Sequence, residues 1–155
     1  MPAVLFKIPL VPWVRKTVEK MSAIDQDDSQ TWNRFWLQAY VELGGISENS
    51  GSKVCPKSAA YGLWRLGRIA GSGKPFQNWP IGRVKEELGK NVAYAVLALD
   101  LLEVGWGPED IESLWIEVRR LYRQKLADTP ARTQQGAVKV ASILFSEGQI
   151  VSKPR

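Results

Sequence analysis

The sequence predicts an all-α protein: a compact bundle of six or seven short helices around a central apolar helix at residues 91–104, with a short N-terminal strand or arm. Three observations carry this reading. Apolar side chains recur at i, i+3, i+4 and i+7 through most of the chain, the period of a helix with one buried face. Gly and Pro stand between the periodic segments as punctuation and form no disordered tract. The run NVAYAVLALDLLEV is apolar on nearly every side, as a helix surrounded by other helices must be. At 155 residues the chain is expected to be one domain, 1–155, and its 45% hydrophobic content suffices for a core.

Residues 3–8, AVLFKI, suit a short strand or an extended arm reaching to about residue 12. Pro12 suits the first turn of a helix through WVRKTVEKMSAI, because the first N–H groups of a helix have no partner within it. DQDDS (25–29) is a polar break, with Asp28 or Ser29 as the cap of the next helix. There Trp32, Phe35, Trp36, Ala39, Tyr40 and Leu43 follow the helical period until Gly44-Gly45 stop it. Residues 46–54 read as a loop, and Pro56 opens a helix that Gly67 ends. AGSGKPFQNWP (70–80) is a second loop. A short helix then turns Ile81, Val84 and Leu88 inward, and Asn91 is the expected cap of the central helix. Gly107-Pro108-Glu109-Asp110 starts a helix with the stripe Ile111, Leu114, Trp115, Val118, Tyr122. The last helix carries Ala137, Val140, Ala141, Leu144 and Phe145.

Four helix ends share one form: YVELGGI, LWRLGRI, LLEVGWG and LFSEGQI, with glycine at 44, 67, 105 and 148. Each predicts a C-terminal cap in which glycine takes a positive φ and a following apolar residue folds back over the last turn. Trp36 and Trp115 lie in apolar stripes and are expected in the core, whereas Trp79, in a loop before Pro80, is expected to be substantially exposed.

Composition excludes several chemistries. The chain has no histidine and one cysteine, so Ser-His-Asp and Cys-His catalysis are impossible and the usual zinc ligand set cannot assemble. DQDD (25–28) lacks the glycine and terminal Glu of a calcium loop. No cofactor, metal site or disulfide is therefore expected. The apolar N-terminus is interrupted by Lys7, Pro9 and Pro12 and is too short to span a membrane, which points to the cytoplasm. A formal net charge of +5 suits a polyanionic partner, although a modest basic excess equally serves solubility.

GSGK (71–74) is not a Walker A loop. That motif needs glycine where Arg68 stands, a hydroxyl where Pro75 stands, and a strand where the sequence is helical. An anion held by the 53–75 segment is instead expected at the start of the Pro56 helix, whose free amides and dipole favour it, with Lys53, Lys57 and Ser58 adding donors. Lys74 assists only if its loop folds back. Cys55 beside that helix start could have a lowered pKa, but with no histidine it reads as a half-buried packing residue.

The stretches SKVCPKSAAYGLWRLGRI (52–69), KNVAYAVLALDLL (90–102) and QGAVKVASILFSEGQI (135–150) resemble an uncharacterised bacterial family of small helical proteins. The resemblance spans 52–150 and implies no activity, so it transfers no catalytic residue.

Two further clusters stand out. EVRRLYRQK (117–125) puts Arg119 and Arg123 one turn apart, a spacing that follows a phosphate backbone and also complements a helix C-terminus. Asp100, among apolar neighbours, calls for a basic partner, with Arg65 and Arg68 as candidates and Glu103 close enough to share a wet strip.

The leading reading is a non-enzymatic binding module for an anionic ligand, above all nucleic acid, through Lys53, Lys57, Ser58, Lys74, Arg119 and Arg123. The second is a protein-interaction adaptor anchored by Phe76, Trp79 and Trp13. The third is an enzyme of unfamiliar type acting on a phosphorylated substrate around Lys53, Cys55 and Lys57, which a deep pocket lined by Lys57 and Asp100 would favour. Convergence of lysines and arginines from separate segments favours the first.

Overall fold

A computed structural model describes residues 3–51, 53–133 and 135–153. Residues 1–2 of the expected arm, and Ser52 of the SK-x-CPK stretch, lie outside the described residues. The chain opens with a hairpin, β1 (Val4–Leu5) and β2 (Ile8–Pro9), paired antiparallel with Val4 opposite Pro9. Helices follow: α1 (Leu10–Ser22), α2 (Ser29–Glu42), the single turn α3 (Glu48–Gly51), α4 (Val54–Arg65), α5 (Ile81–Leu88), α6 (Lys90–Glu103), α7 (Ile111–Leu126) and α8 (Gln135–Ser146). Among the described residues the fold is an all-α bundle of seven helices longer than one turn, with the hairpin where a strand or arm was expected. No described helix is long and apolar enough to cross a membrane.

The centre of the bundle is α6. Ten of its 14 residues are buried, from Val92 to Leu102, so it has no broad polar face and must be enclosed. It packs against α4, α5, α7 and α8. Beside it, α1, α2 and α4 enclose a chain of stacked indoles. Trp13 and Trp36 have ring centroids 4.3 Å apart, Trp36 and Trp32 6.1 Å, and Trp32 and Trp64 5.4 Å. A buried indole removes roughly 200 Å² from water, about 5 kcal/mol of gross hydrophobic gain before entropy is counted. Trp36 and Trp115 are core residues, as their helical stripes require. Trp13 is not an interaction anchor: it is fully buried, and its indole N–H donates to the Trp36 carbonyl at 2.9 Å.

The four glycine caps form as the repeated motif predicts. Gly44, Gly67, Gly105 and Gly148 all have positive φ, between 70° and 110°. At each, two inward hydrogen bonds close the helix: Gly44 N–H to Val41 O and Gly45 N–H to Tyr40 O, then Gly67 to Trp64 and Arg68 to Leu63. Gly105 to Leu102 and Trp106 to Leu101, and Gly148 to Phe145 and Gln149 to Leu144, repeat the pattern. The fold-back of the following isoleucine is not general. Ile69 is buried and pairs with Ile150 in an antiparallel bridge, but Ile46 is 99% exposed.

Several helix starts differ from the expected ones. α4 begins at Val54, with Pro56 two residues inside the first turn, where its missing N–H costs no helical bond. α7 begins at Ile111, because the Asp110 carboxylate accepts the Ser113 N–H and leaves Pro108 in the preceding turn. α6 begins at Lys90 after Gly89 (φ 99°), so Asn91 sits inside the helix and is not its cap. Asp28 does cap α2, accepting the Thr31 N–H at 2.9 Å. The 46–54 segment is not all loop, since α3 lies within it.

The exits of α4, α6 and α8 meet around Arg68. This guanidinium is buried, donates to the Val151 carbonyl at 2.8 Å and pairs with Glu103 at 2.6 Å. The two chain exits run side by side, with Ala70 N–H bonded to Gln149 O and Val151 N–H bonded to Arg68 O. Asp100 closes no ion pair with Arg65 or Arg68, although its charge acts on Arg68 from nearby. It is half-buried and pairs with Lys153 at 3.3 Å, while Glu103, one turn on, reaches the interior guanidinium.

Substitutions at the caps should separate two costs. Gly44→Ala meets no atom and should lose about 1 kcal/mol for the positive φ alone. A methyl at Gly67 overlaps the Pro75 backbone, so Gly67→Ala should lose about 3 kcal/mol; equal losses in urea denaturation would refute the close approach. Glu103→Gln should cost about 3 kcal/mol by the same measurement, since it strips a buried cation of its partner. Asp128, which accepts from the Tyr122 hydroxyl at 2.6 Å, has its pKa lowered from 3.8 to about 2, chiefly by that bond. A depressed carboxylate stabilises above its unfolded pKa and stops doing so as pH falls through the folded one. The melting-temperature gap between the native chain and Asp128→Asn should therefore be constant above about pH 5 and close towards pH 2.

Candidate functional site

A trough runs along the surface formed by the α1–α2 linker, the exposed face of α4, the 71–80 loop and the start of α5. The loop is the part that the sequence left unplaced. Gly71 and Gly73 both have positive φ and turn the chain, as GSGK was expected to do after a helix cap. The chain then lies back along the end of α4. Pro75 packs against Gly67, Gln77 N–H donates to Leu66 O at 2.9 Å, and the Arg68 guanidinium rests over the Phe76 ring at 5.2 Å. This return carries Lys74 onto the α1–α2 linker. Its ammonium lies 4.4 Å from the Trp64 ring centroid and 3.7 Å from the Asp27 carboxylate.

Arg65, on α4, faces the same carboxylate at 3.9 Å and donates to the Tyr61 hydroxyl at 3.0 Å. Burial pushes the Tyr61 phenol up in pKa, and it donates to the Asp27 carbonyl at 2.7 Å. Arg83, on α5, stacks over Trp79 with its guanidinium carbon 3.9 Å from the centroid and pairs with Glu87 at 2.6 Å.

Three adjoining cavities make up the trough. The first, about 480 Å³, includes Ser22, Gln26, Asp27, Trp64, Ser72 and Lys74 in its lining. The middle one, about 360 Å³, is bounded by Asp27, Arg65, Lys74, Gln77, Trp79 and Arg83 together with Pro75. The third, about 500 Å³, includes Asn33, Ser58, Tyr61, Arg65, Trp79 and Glu87. In the middle cavity three cations from three elements face the Asp27 carboxylate, and Arg83 is in addition paired with Glu87 of the adjoining cavity.

Of the residues singled out in sequence, Lys74, Ser58 and Trp79 line this trough. Trp79 is half-buried against the core and covered by Arg83, so it is not the substantially exposed anchor its loop position suggested. Phe76 is likewise half-buried, under Arg68. Lys53 is exposed and Lys57 half-buried at the start of α4, and neither lines the three cavities. Arg119 and Arg123 ride on α7, which packs on α5, α6 and α8, and they too lie outside the trough. Cys55 is half-buried, and burial pushes its thiol up, opposite to what a reactive thiolate needs. Neither Lys57 nor Asp100 lines any of the three cavities.

Arg65, Arg83, Asp27 and Tyr61 were missed. One signal was available: Ser58, Tyr61 and Arg65 stand at i, i+3 and i+7 and so share one polar face of α4. Nothing in the sequence brings Lys74, Arg83 or Asp27 to that face, because each reaches it through a loop.

The family model for DUF6979, a family of unknown function, matches residues 13–151. The match begins in α1 and ends at Val151, the residue whose N–H closes the bridge to Arg68. It extends well before residue 52, where the resemblance seen in the sequence began, and it contains the whole trough. No curated protein matches the chain, and no solved structure does.

Proposed function

This chain belongs to DUF6979, a family of unknown function, and from that premise we propose that it is a non-enzymatic binding module for an anionic ligand, nucleic acid, held in the trough between α4, α5 and the 71–80 loop. One observation carries the reading: Arg65, Lys74 and Arg83, from three separate segments, converge on one cavity beside Trp79. Cations alone are solvated surface; cations gathered from distant segments into one trough are the arrangement that tracks a phosphate backbone. The trough is also open and elongated, a shape that suits a strand more than a small enclosed metabolite. With no histidine in the chain and its one cysteine half-buried, imidazole and thiolate chemistry play no part in the reading.

An adaptor role is favoured by a different patch. A cavity of about 440 Å³ beside the hairpin is lined by Phe6, Ile8, Tyr40 and Ile46, with Phe6 held on a turn of positive φ. Phe6 precedes the matched span, which places this patch second.

Fluorescence anisotropy of a labelled single-stranded oligonucleotide tests the proposal. Binding should weaken with salt at a log–log slope of about −2, as three neutralised phosphates require. The triple variant Arg65→Glu, Lys74→Glu, Arg83→Glu should lose it, while Phe6→Ser with Ile46→Ser should leave it unchanged. Absence of binding at low salt, or binding that survives the triple reversal, would overturn the reading.

A further inference from the structure

Resting on the reading of the trough as a phosphate site, we infer that Asp27 is a built-in competitor for the position a phosphodiester takes. A single oxygen of its carboxylate, Oδ2, stands between two cations, 3.9 Å from Arg65 Nε and 3.7 Å from Lys74 Nζ. Both separations exceed hydrogen-bonding length, so neither pair is closed. The Asp27 side chain is 56% exposed, whereas Glu103, which closes on Arg68 at 2.6 Å, is 17% exposed. Exposed, loosely held pairs contribute little to stability, so this carboxylate is exchangeable where Glu103 is not.

The backbone beneath it is held separately. The Asp27 carbonyl accepts the Tyr61 hydroxyl at 2.7 Å and Arg65 Nη1 at 3.3 Å. The linker thus stays docked on α4 when the carboxylate swings into solvent. A phosphodiester spreads its charge over two unesterified oxygens and can close a short charge-assisted bond to each cation at once, whereas Asp27 meets both cations with the same oxygen. Asp27 therefore keeps the two cations together in the free protein and raises the threshold that an incoming anion must exceed.

Removing the competitor should tighten binding, which ordinary loss of a surface residue does not do. With a labelled oligo-dT of about 12 nucleotides as probe, Asp27→Asn should bind about five-fold more tightly than the native chain at the same salt. Glu42→Gln is the charge control: Glu42 pairs with Lys16 and Lys20 on α1, outside the trough, and its change should alter affinity less than about two-fold. In a Lys74→Gln background the gain from Asp27→Asn should shrink below about two-fold, because one of the contested cations is gone. Should Asp27→Asn fail to fold, Asp27→Ser serves in its place. The inference is overturned if the native chain binds and the triple reversal abolishes binding, yet Asp27→Asn gains no more than Glu42→Gln or binds more weakly. If the native chain does not bind the probe, or binds it regardless of the triple reversal, the reading of the trough itself fails.

Discussion

The buried guanidinium of Arg68 is the constraint on which the rest of the structure depends. Taking a cation out of water is costly, and burial accordingly pulls its pKa down while Glu103 and Asp100 hold it up. Three helix exits supply what replaces the water. Arg68 follows α4, Glu103 ends α6, and Val151 follows α8, so a carboxylate and a backbone carbonyl from two other helix exits converge on a single positive charge. The same junction binds the α4 exit to the α8 exit as a short bridge between Ile69 and Ile150. Arg15 extends it from α1, donating to Ala70 O at 2.5 Å and to the Gln149 side chain. A hydrophobic core would hold these helices together without specifying where they end relative to one another. The charge does that.

The placement of the trough follows from this junction. Because Arg68 and Ile69 are buried, the chain must leave α4 close to the surface of the bundle, and Gly67 lets the returning 75–76 backbone lie directly on the helix end. The Arg68 guanidinium over Phe76 continues the buried network into the loop. Lys74 is thereby directed to the α1–α2 linker, and the loop delivers Trp79 to α5. Two kinds of cation result. Arg68 is enclosed, closely paired and structural, whereas Arg65, Lys74 and Arg83 are partly or fully exposed, and two of them share one distant carboxylate oxygen. Only the second kind retains charge that a ligand can use.

The glycine-rich turn takes on a different meaning in this setting. Two of its amides are turned inward, Ser72 N–H to Ile69 O and Lys74 N–H to Ser72 Oγ. Its contribution is direction: two residues of positive φ, Gly71 and Gly73, reverse the chain so that a lysine otherwise pointing into solvent is returned to the α4 face. A motif read for its chemistry proves to matter for its geometry.

What the sequence determined by itself was local. Helical periodicity placed six or seven helices, the enclosed one among them, because a side chain's face depends only on its spacing from its neighbours. The four glycine caps were legible for the same reason, since a Schellman motif is closed within one turn. Helix starts were less so: Asp110 and not Pro108 begins α7, because competing caps a few residues apart differ by little energy. The partner of Asp100, the burial of Trp13 and the covering of Trp79 by Arg83 are contacts between elements or across a loop, and spacing along the chain does not encode them. The trough is of this second kind. Ser58, Tyr61 and Arg65 share a face that the sequence could show, but Asp27 lies 38 residues before Arg65, and their meeting was decided by how α2 and the returning loop pack on α4. Only tertiary structure brings distant charges together, because the energy that does so is the burial of indoles and other apolar side chains elsewhere in the molecule.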